Sequence, residues 1–336
     1  MRVPGAWVGV DVLTTRLRRE ARVARDGADS RLSRSDIMVH SAAGERVARV
    51  LTRCASMLGF DVEGERLWAD MVADLFDGPY DDRTADEAGM ALRAHWVKAP
   101  DGMPLGLVLW LAPGPVLPRP VYNSWILDLD AVTTSSAGDD LAMLGTDRQA
   151  GEPRPIRDLL RFANADDVPR FLALYWDAAT GTKGLAAEAI WSINPPGAPG
   201  WVHFWSAAHP GIGPTERSVY GMSLQLVSRP EPVVATLRHI VQFTRHTLIL
   251  VDAERRITLH TEGVLREELR DSNIVELLED LQIARIVSGS QTSVEATVTI
   301  NDRRYEATAW PLPSVQSKPV QPAAIVLRPV EDGAVN

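Results

Sequence analysis

Cysteine is almost absent from this chain of 336 residues, and Cys54 is its sole example. One thiol excludes an intrachain disulfide and removes any cysteine-rich metal site. It falls on an apolar stripe with Val47, Val50, Leu51 and Leu58, so a buried structural thiol is expected rather than a reactive one. Long apolar runs are missing too, and none approaches the roughly 20 residues that span a bilayer. The first stretch carries Pro4 and Asp11 among its apolar residues and does not read as a secretory signal. Positive charge is in deficit, with a net charge of −9. That balance argues against general binding of nucleic acid or of an anionic membrane surface. A cytoplasmic location is the expectation.

Convergent reactive groups are equally scarce. His40, His95, His203, His209, His239, His246 and His260 form no His-Glu-x-x-His pair and no other metal-ligand spacing. There is no Gly-x-Ser-x-Gly elbow and no Walker-type Gly-Lys-Ser/Thr loop. Gly211-Ile212-Gly213 is too short and too proline-flanked to cradle a phosphate. No catalytic residue and no metal ligand is assigned, and an enzyme is not expected.

What is present is ordinary for globular protein: 45% apolar and 24% charged residues, in a length that suits two or three domains. Residues 1–114 read as a first unit. The basic run from Thr14 to Arg34 is interleaved with Glu20, Asp26 and Asp29 and lacks aromatics, so it reads as a solvated face and not a nucleic-acid arm. Ser41–Leu58 reads as an amphipathic helix stopped by Gly59, with Glu63–Phe76 and Ala85–Ala91 as further helices. Leu92–Lys98 and Leu105–Ala112 read as a hairpin about Pro100-Asp101-Gly102. Pro113, Pro115, Pro118 and Pro120 then make a stiff connector and a boundary.

In the middle stretch, Trp125–Asp130 alternates with period two, which says strand. The Ser/Gly/Asp-rich stretch before Leu141 reads as a turn. Phe162, Val168, Phe171, Leu172, Leu174, Tyr175 and Trp176 recur at helical spacing within Pro155–Thr180. Asn164-Ala165-Asp166-Asp167 interrupts that run and can cap a fresh helix. Leu185–Ile193, Trp201–Ala208 and Ser218–Val227 follow as three strands between Pro/Gly turns. Glu231–His246 has helical spacing and could self-associate into a homodimer. The last stretch, Thr247–Val330, repeats the middle one: two strands, a helical segment over Glu267–Val287, and the strands Ser293–Ile300, Arg303–Pro311 and Ala323–Arg328.

Two strands, short helices and a three-strand meander are the order of a PAS domain. Arg161–Phe171 resembles the segment that caps the long helix in many such domains. The helix-rich start leading into Leu105–Trp110 suits a GAF-like unit. Taken with Asp101–Trp110, the proline connector, Trp125–Leu129, Arg154–Trp176 and Leu250–Ala253, the chain resembles an actinobacterial, mycobacterial-type family of sensor-only proteins. That family combines one GAF-like and two PAS-like domains and has no effector domain. The resemblance implies an α+β fold of three consecutive sensory domains. They are a GAF-like 1–114 followed by two PAS-like antiparallel-sheet domains, 122–228 and 247–330, joined by helix 231–246. It also implies a non-catalytic sensory or scaffold role, integrating signals for a partner signalling protein. A small-molecule-binding regulator of transcription or signalling is the alternative, and an enzyme with an unrecognised site is third.

Cofactor-bearing PAS variants fail on residues. A flavin photosensor uses a cysteine on the helical side, and Cys54 lies outside both PAS-like stretches. Haem variants ligate through a histidine on the long helix, and neither Arg154–Thr180 nor Glu267–Val287 contains one. No cofactor is expected. Trp125, Phe162, Phe171, Tyr175, Trp191 and Trp205 are the candidate lining of a cavity for a small apolar ligand, against the preferred reading of a filled core. No output module is expected after Val330.

Overall fold

The computed structural model describes residues 2–3, 5–27, 30–42, 49–87, 89–144, 147–164, 167–168, 171, 174–175, 178, 186–215, 217–227, 245–253, 256–269, 274–288, 290–312 and 323–330. They form three antiparallel sheets with few helices, an α+β arrangement. Contacts divide the chain into two compact units, Met1–Arg154 with Gly181–Glu231, and Pro155–Thr180 with Pro232–Asn336. Each of the stretches 1–114, 122–228 and 247–330 contains one sheet. The compact units are drawn differently: the first two sheets share a unit, and Pro155–Thr180 groups with the third.

In the first unit, β1 (Val8–Asp11), β2 (Met38–Ser41), β3 (Arg49–Val50), β4 (Arg83–Glu87), β5 (Met90–Lys98) and β6 (Pro104–Pro113) lie in the order β3-β2-β1-β6-β5-β4. The β5–β6 hairpin turns where the sequence placed it, with Gly102 at φ 89° supplying the left-handed conformation. Helices α1 (Val12–Asp26), α2 (Leu51–Leu58) and α3 (Val62–Asp77) complete this layer. Asp11 and Asp61 cap α1 and α3 by accepting from the amides of Thr14 and Gly64. The basic run is therefore mostly the outer face of α1. Only the end of the helix expected over Ser41–Leu58 is helical, residues 43–48 lying outside the described ones. Ala85–Ala91 was expected to be helical and is not. Ala85 pairs with Leu92 across β4 and β5, and cross-strand pairing overrides the helix preference of alanine.

The second sheet comprises β7 (Tyr122–Asp128), β8 (Thr133–Gly138), β9 (Arg154–Pro155), β10 (Ala187–Ile193), β11 (Val202–His209) and β12 (Ser218–Leu226), in the order β10-β11-β12-β7-β8-β9. The stretch expected as a turn is strand β8, because Trp125 and Ser136 face each other across the β7–β8 ladder. A one-turn helix, α4 (Asp140–Met143), follows it. Every residue of β11 is buried, so both faces of this sheet are covered. One face closes on the first sheet. Gly9 and Gly106 leave the room there: a Cβ on Gly9 would stand 2.7 Å from Leu224 Cδ2, and one on Gly106 would stand 2.6 Å from Met222 Cε. Leu224 and Met222 thus join Val8, Val10, Leu107 and Trp68 in one core.

In the second unit, β13 (Thr247–Asp252), β14 (Ile257–Gly263), β15 (Val294–Ile300), β16 (Arg303–Pro311) and β17 (Ala323–Pro329) lie in the order β14-β13-β17-β16-β15. Asn301 and Asp302, at φ 51° and 63°, make the two-residue turn of the β15–β16 hairpin. Helix α5 (Ile156–Leu160) lies against the edge strand β14. Positions 168, 171, 174, 175 and 178 are helical and buried. The segment expected over Glu267–Val287 is broken into α6 (Arg266–Leu269), α7 (Val275–Asp280) and α8 (Ile283–Val287), with Gln282 at φ 47° between the last two. Leu278, Leu281 and Ile286 from these helices bury against Ile249, Ala307 and Ile325 of the sheet. Of the helix expected over 231–246, residues 231–244 lie outside the described ones.

The three sheets share one scheme. In β2-β1-β6-β5-β4, β8-β7-β12-β11-β10 and β14-β13-β17-β16-β15, two strands pair and a three-strand meander follows after helices. In each, the last strand of the meander pairs with the first of the pair. The internal repeat legible in the second and third stretches extends to the first.

Candidate functional site

Strand alternation sorts the tryptophans of the second sheet. Trp125, Trp191 and Phe204 lie on one face, and Trp205 lies on the face that closes on the first sheet, where it stacks on His40 with ring centroids 4.6 Å apart. On the first of these faces the indole N–H groups are spoken for. Trp191 donates to Ser206 Oγ at 2.8 Å and Trp125 to Ser223 Oγ at 3.2 Å, while the two hydroxyls lie 2.7 Å apart. All four side chains are buried, so the chain supplies polar partners for its own aromatic edges, as buried donors require. Phe162, Phe171 and Tyr175 belong to the second compact unit. Trp176 lies outside the described residues.

Between the first two sheets several buried polar and titratable groups lie against polar neighbours. Asp11 takes the Thr14 amide on Oδ1 at 2.9 Å and the Thr14 hydroxyl on Oδ2 at 2.7 Å, and His209 Nε2 stands 3.5 Å from Oδ1. Ser192 Oγ and His203 Nδ1 are 2.9 Å apart. Burial, and after it the hydrogen bond that Tyr220 donates to Asp101, lifts the tyrosine hydroxyl far above the ordinary phenol range. Burial pushes the Cys54 thiol up to about 11, which keeps it protonated and unreactive near neutral pH. No group of three metal-ligating side chains occurs among the described residues.

The second unit carries a different kind of site. A cavity of about 100 Å³ opens between α5 and β14. Arg157, Asp158 and Arg161 line it from the α5 segment, Thr258, His260 and Thr261 from β14, and Arg266 from α6. Arg157 and Arg161 are one helical turn apart and so share a face. Arg266 lies 3.7 Å from Glu262 Oε2, and Arg161 also covers the Phe162 ring, 4.6 Å from its centroid. His260 is 9% exposed. Burial first, and the Arg266 charge second, lower it to about 4. Thr258 Oγ1, Thr261 Oγ1 and His260 Nε2 are buried without a hydrogen-bond partner among the described residues. Glu262 Oε2 stands 3.9 Å from that nitrogen, beyond hydrogen-bond reach. None of these residues was singled out by sequence as a site. The Arg157–Arg161 spacing is visible there, but its meeting with Arg266 and His260 depends on α5 lying against β14.

No protein-family model matches the chain, and no curated protein does. Among solved structures, an uncharacterized protein from Mycobacterium tuberculosis aligns with a TM-score of 0.55 at 14% identity, over 98% of this chain and 97% of that one. An RNA-binding light-oxygen-voltage receptor reaches 0.24 at 10% identity, over 62% of this chain and 95% of its own. The L-norvaline-bound ligand-binding domain of a Campylobacter jejuni chemoreceptor reaches 0.20 at 13%, over 61% of this chain and 64% of its own. Scores as low as the last two carry no argument. From nearly end to end, then, this chain shares its fold with the mycobacterial protein.

Proposed function

We propose that this chain is a non-catalytic sensory or scaffold protein of three modules, GAF-like over 1–114 and PAS-like over 122–228 and 247–330. In this reading it works in the cytoplasm and passes its state to a partner signalling protein, with segment 231–246 as the place where two copies meet. The observation that supports the reading is the strand scheme common to the three sheets. A paired-strand and meander sheet covered by helices encloses an interior, and repeating it gives several places where a signal can be received. Fold alone does not assign chemistry, and the buried Asp11 and His203 of the first unit are engaged in structural contacts.

The test is to mix the purified full chain with a small-molecule extract and follow amide exchange and extract composition together. Protection gained in one module, with every extract component recovered unchanged, is the expected result. Catalytic conversion of a component by the pure chain would overturn the reading.

A further inference from the structure

We propose that the cavity between α5 and β14 is a binding site for a phosphate-type oxyanion, free or as the phosphoryl group of a small metabolite. Three guanidinium groups, Arg157, Arg161 and Arg266, line it against one carboxylate, Asp158, in a chain whose net charge is −9. Glu262, buried and 3.7 Å from Arg266, offsets part of that charge. The local excess of cations runs against the balance of the whole molecule.

The second observation is independent of charge. Buried polar atoms are nearly always hydrogen-bonded, yet Thr258 Oγ1, Thr261 Oγ1 and His260 Nε2, all on residues lining this one cavity, have no such partner among the described residues. His260 is more than nine-tenths buried. Hydroxyls and an imidazole N–H can all donate, and the three guanidinium groups beside them are donors only, so donors outnumber acceptors in the lining. A metal cation is repelled by the arginines, and an apolar ligand would leave the same atoms unpaired. A carboxylate offers two oxygens, whereas a phosphate offers more acceptors and nearly two charges at neutral pH, which suits two hydroxyls, an imidazole and bidentate guanidinium forks. The volume, about 100 Å³, exceeds what a single water needs and falls well below the roughly 300–1,000 Å³ of sites for drug-sized ligands. The depressed basicity of His260 fits a site waiting for a negative charge, since a bound anion would raise it. The groups facing that imidazole are Arg157, Asp158 and Arg161 from the α5 segment, Glu262 from its own strand and Arg266 from α6.

Calorimetric titration of the full chain with inorganic phosphate, at fixed ionic strength and pH 7, tests the proposal. One saturable site per chain is expected, weakened tenfold or more in Arg157→Ala and in Arg161→Ala, both exposed positions. Melting without phosphate should match wild type in Arg161→Ala. Phosphate should also raise the apparent pKa of His260 followed by NMR, and Arg161→Ala should abolish that rise. Phenyl phosphate competing with inorganic phosphate would mark a site for phosphate monoesters, and failure to compete would mark a site for the free ion; either sustains the oxyanion. Absence of saturable binding, or binding indifferent to both substitutions, would overturn it. So would recognition of a phosphoserine peptide alone, which would make the site a phosphoprotein surface. The sensory reading does not stand or fall with this result, because it is tested by amide exchange in the other modules as well.

Discussion

His209 Nε2 lies 3.5 Å from Asp11 Oδ1, and each of the two side chains is 2% exposed. One residue ends strand β11 and the other opens helix α1, so the contact ties the second sheet to the helical layer of the first. Asp11→Ala removes both bonds to Thr14, a cap loss of about 0.5–2 kcal/mol, and leaves His209 facing apolar surface. Asp11→Asn keeps an oxygen for the Thr14 amide and should lose less. Urea denaturation should rank wild type above Asp11→Asn and that above Asp11→Ala; the reverse order of the two variants would mean that the cap contributes nothing.

Gly221 faces Trp125 across the β7–β12 ladder, and the indole lies over it. A Cβ at Gly221 would stand 2.1 Å from the indole Cη2 and Cζ2. Gly221→Ala should therefore destabilise the first unit by about 1–3 kcal/mol, the usual cost of overpacking. Pairing it with Trp125→Leu should recover part of that loss, a coupling that a double-mutant cycle measures. Equal costs of Gly221→Ala in both backgrounds would show that the ring is not the obstacle.

Trp205 is 1% exposed and Phe171 5%, one in each compact unit. Truncating either to alanine should cost about 3–5 kcal/mol, as large aromatics do in cores. Guanidinium midpoints read by amide exchange should fall around β10–β12 for Trp205→Ala and around the helical positions 168, 171, 174, 175 and 178 for Phe171→Ala. Midpoints unchanged from wild type would mean that neighbouring side chains collapse into the vacancy.

His260 sets an acid limit on the second unit. Its folded value is lowered from 6.5 to about 4, so the unfolded chain binds the extra proton between those values. Stability is complete above about pH 6.5 and falls as pH descends toward 4, by up to about 3 kcal/mol for a shift of this size. His260→Gln should flatten the slope of stability against pH in that window. An identical slope in the variant would assign the acid sensitivity to carboxylates instead.

What the sequence announced and what it withheld divide along physical lines. Period-two patterns whose hydrophobic residues face a core were legible, as in β7 and the strands β10–β12. So was the Asn301-Asp302 turn, because left-handed φ values select those residues. β8 was not legible: Thr133–Gly138 has the composition of a turn and becomes a strand only by pairing with β7. Ala85–Ala91 misled in the opposite way, since alanine favours a helix wherever no ladder competes. Of the proposed site, the Arg157–Arg161 turn could be read, but Thr258, His260 and Thr261 of β14, which meet it, stand about a hundred positions away.

Leu224 seated over Gly9, and Met222 over Gly106, make the first two sheets halves of one hydrophobic interior. A protease that cut the proline connector between β6 and β7 would leave a nick without a separation. The pieces would migrate as a single particle in gel filtration and come apart only in denaturant. Expressed as two polypeptides, residues 1–114 and the remainder should find each other and assemble, which makes the connector a natural place to split the protein into a fragment-complementation reporter.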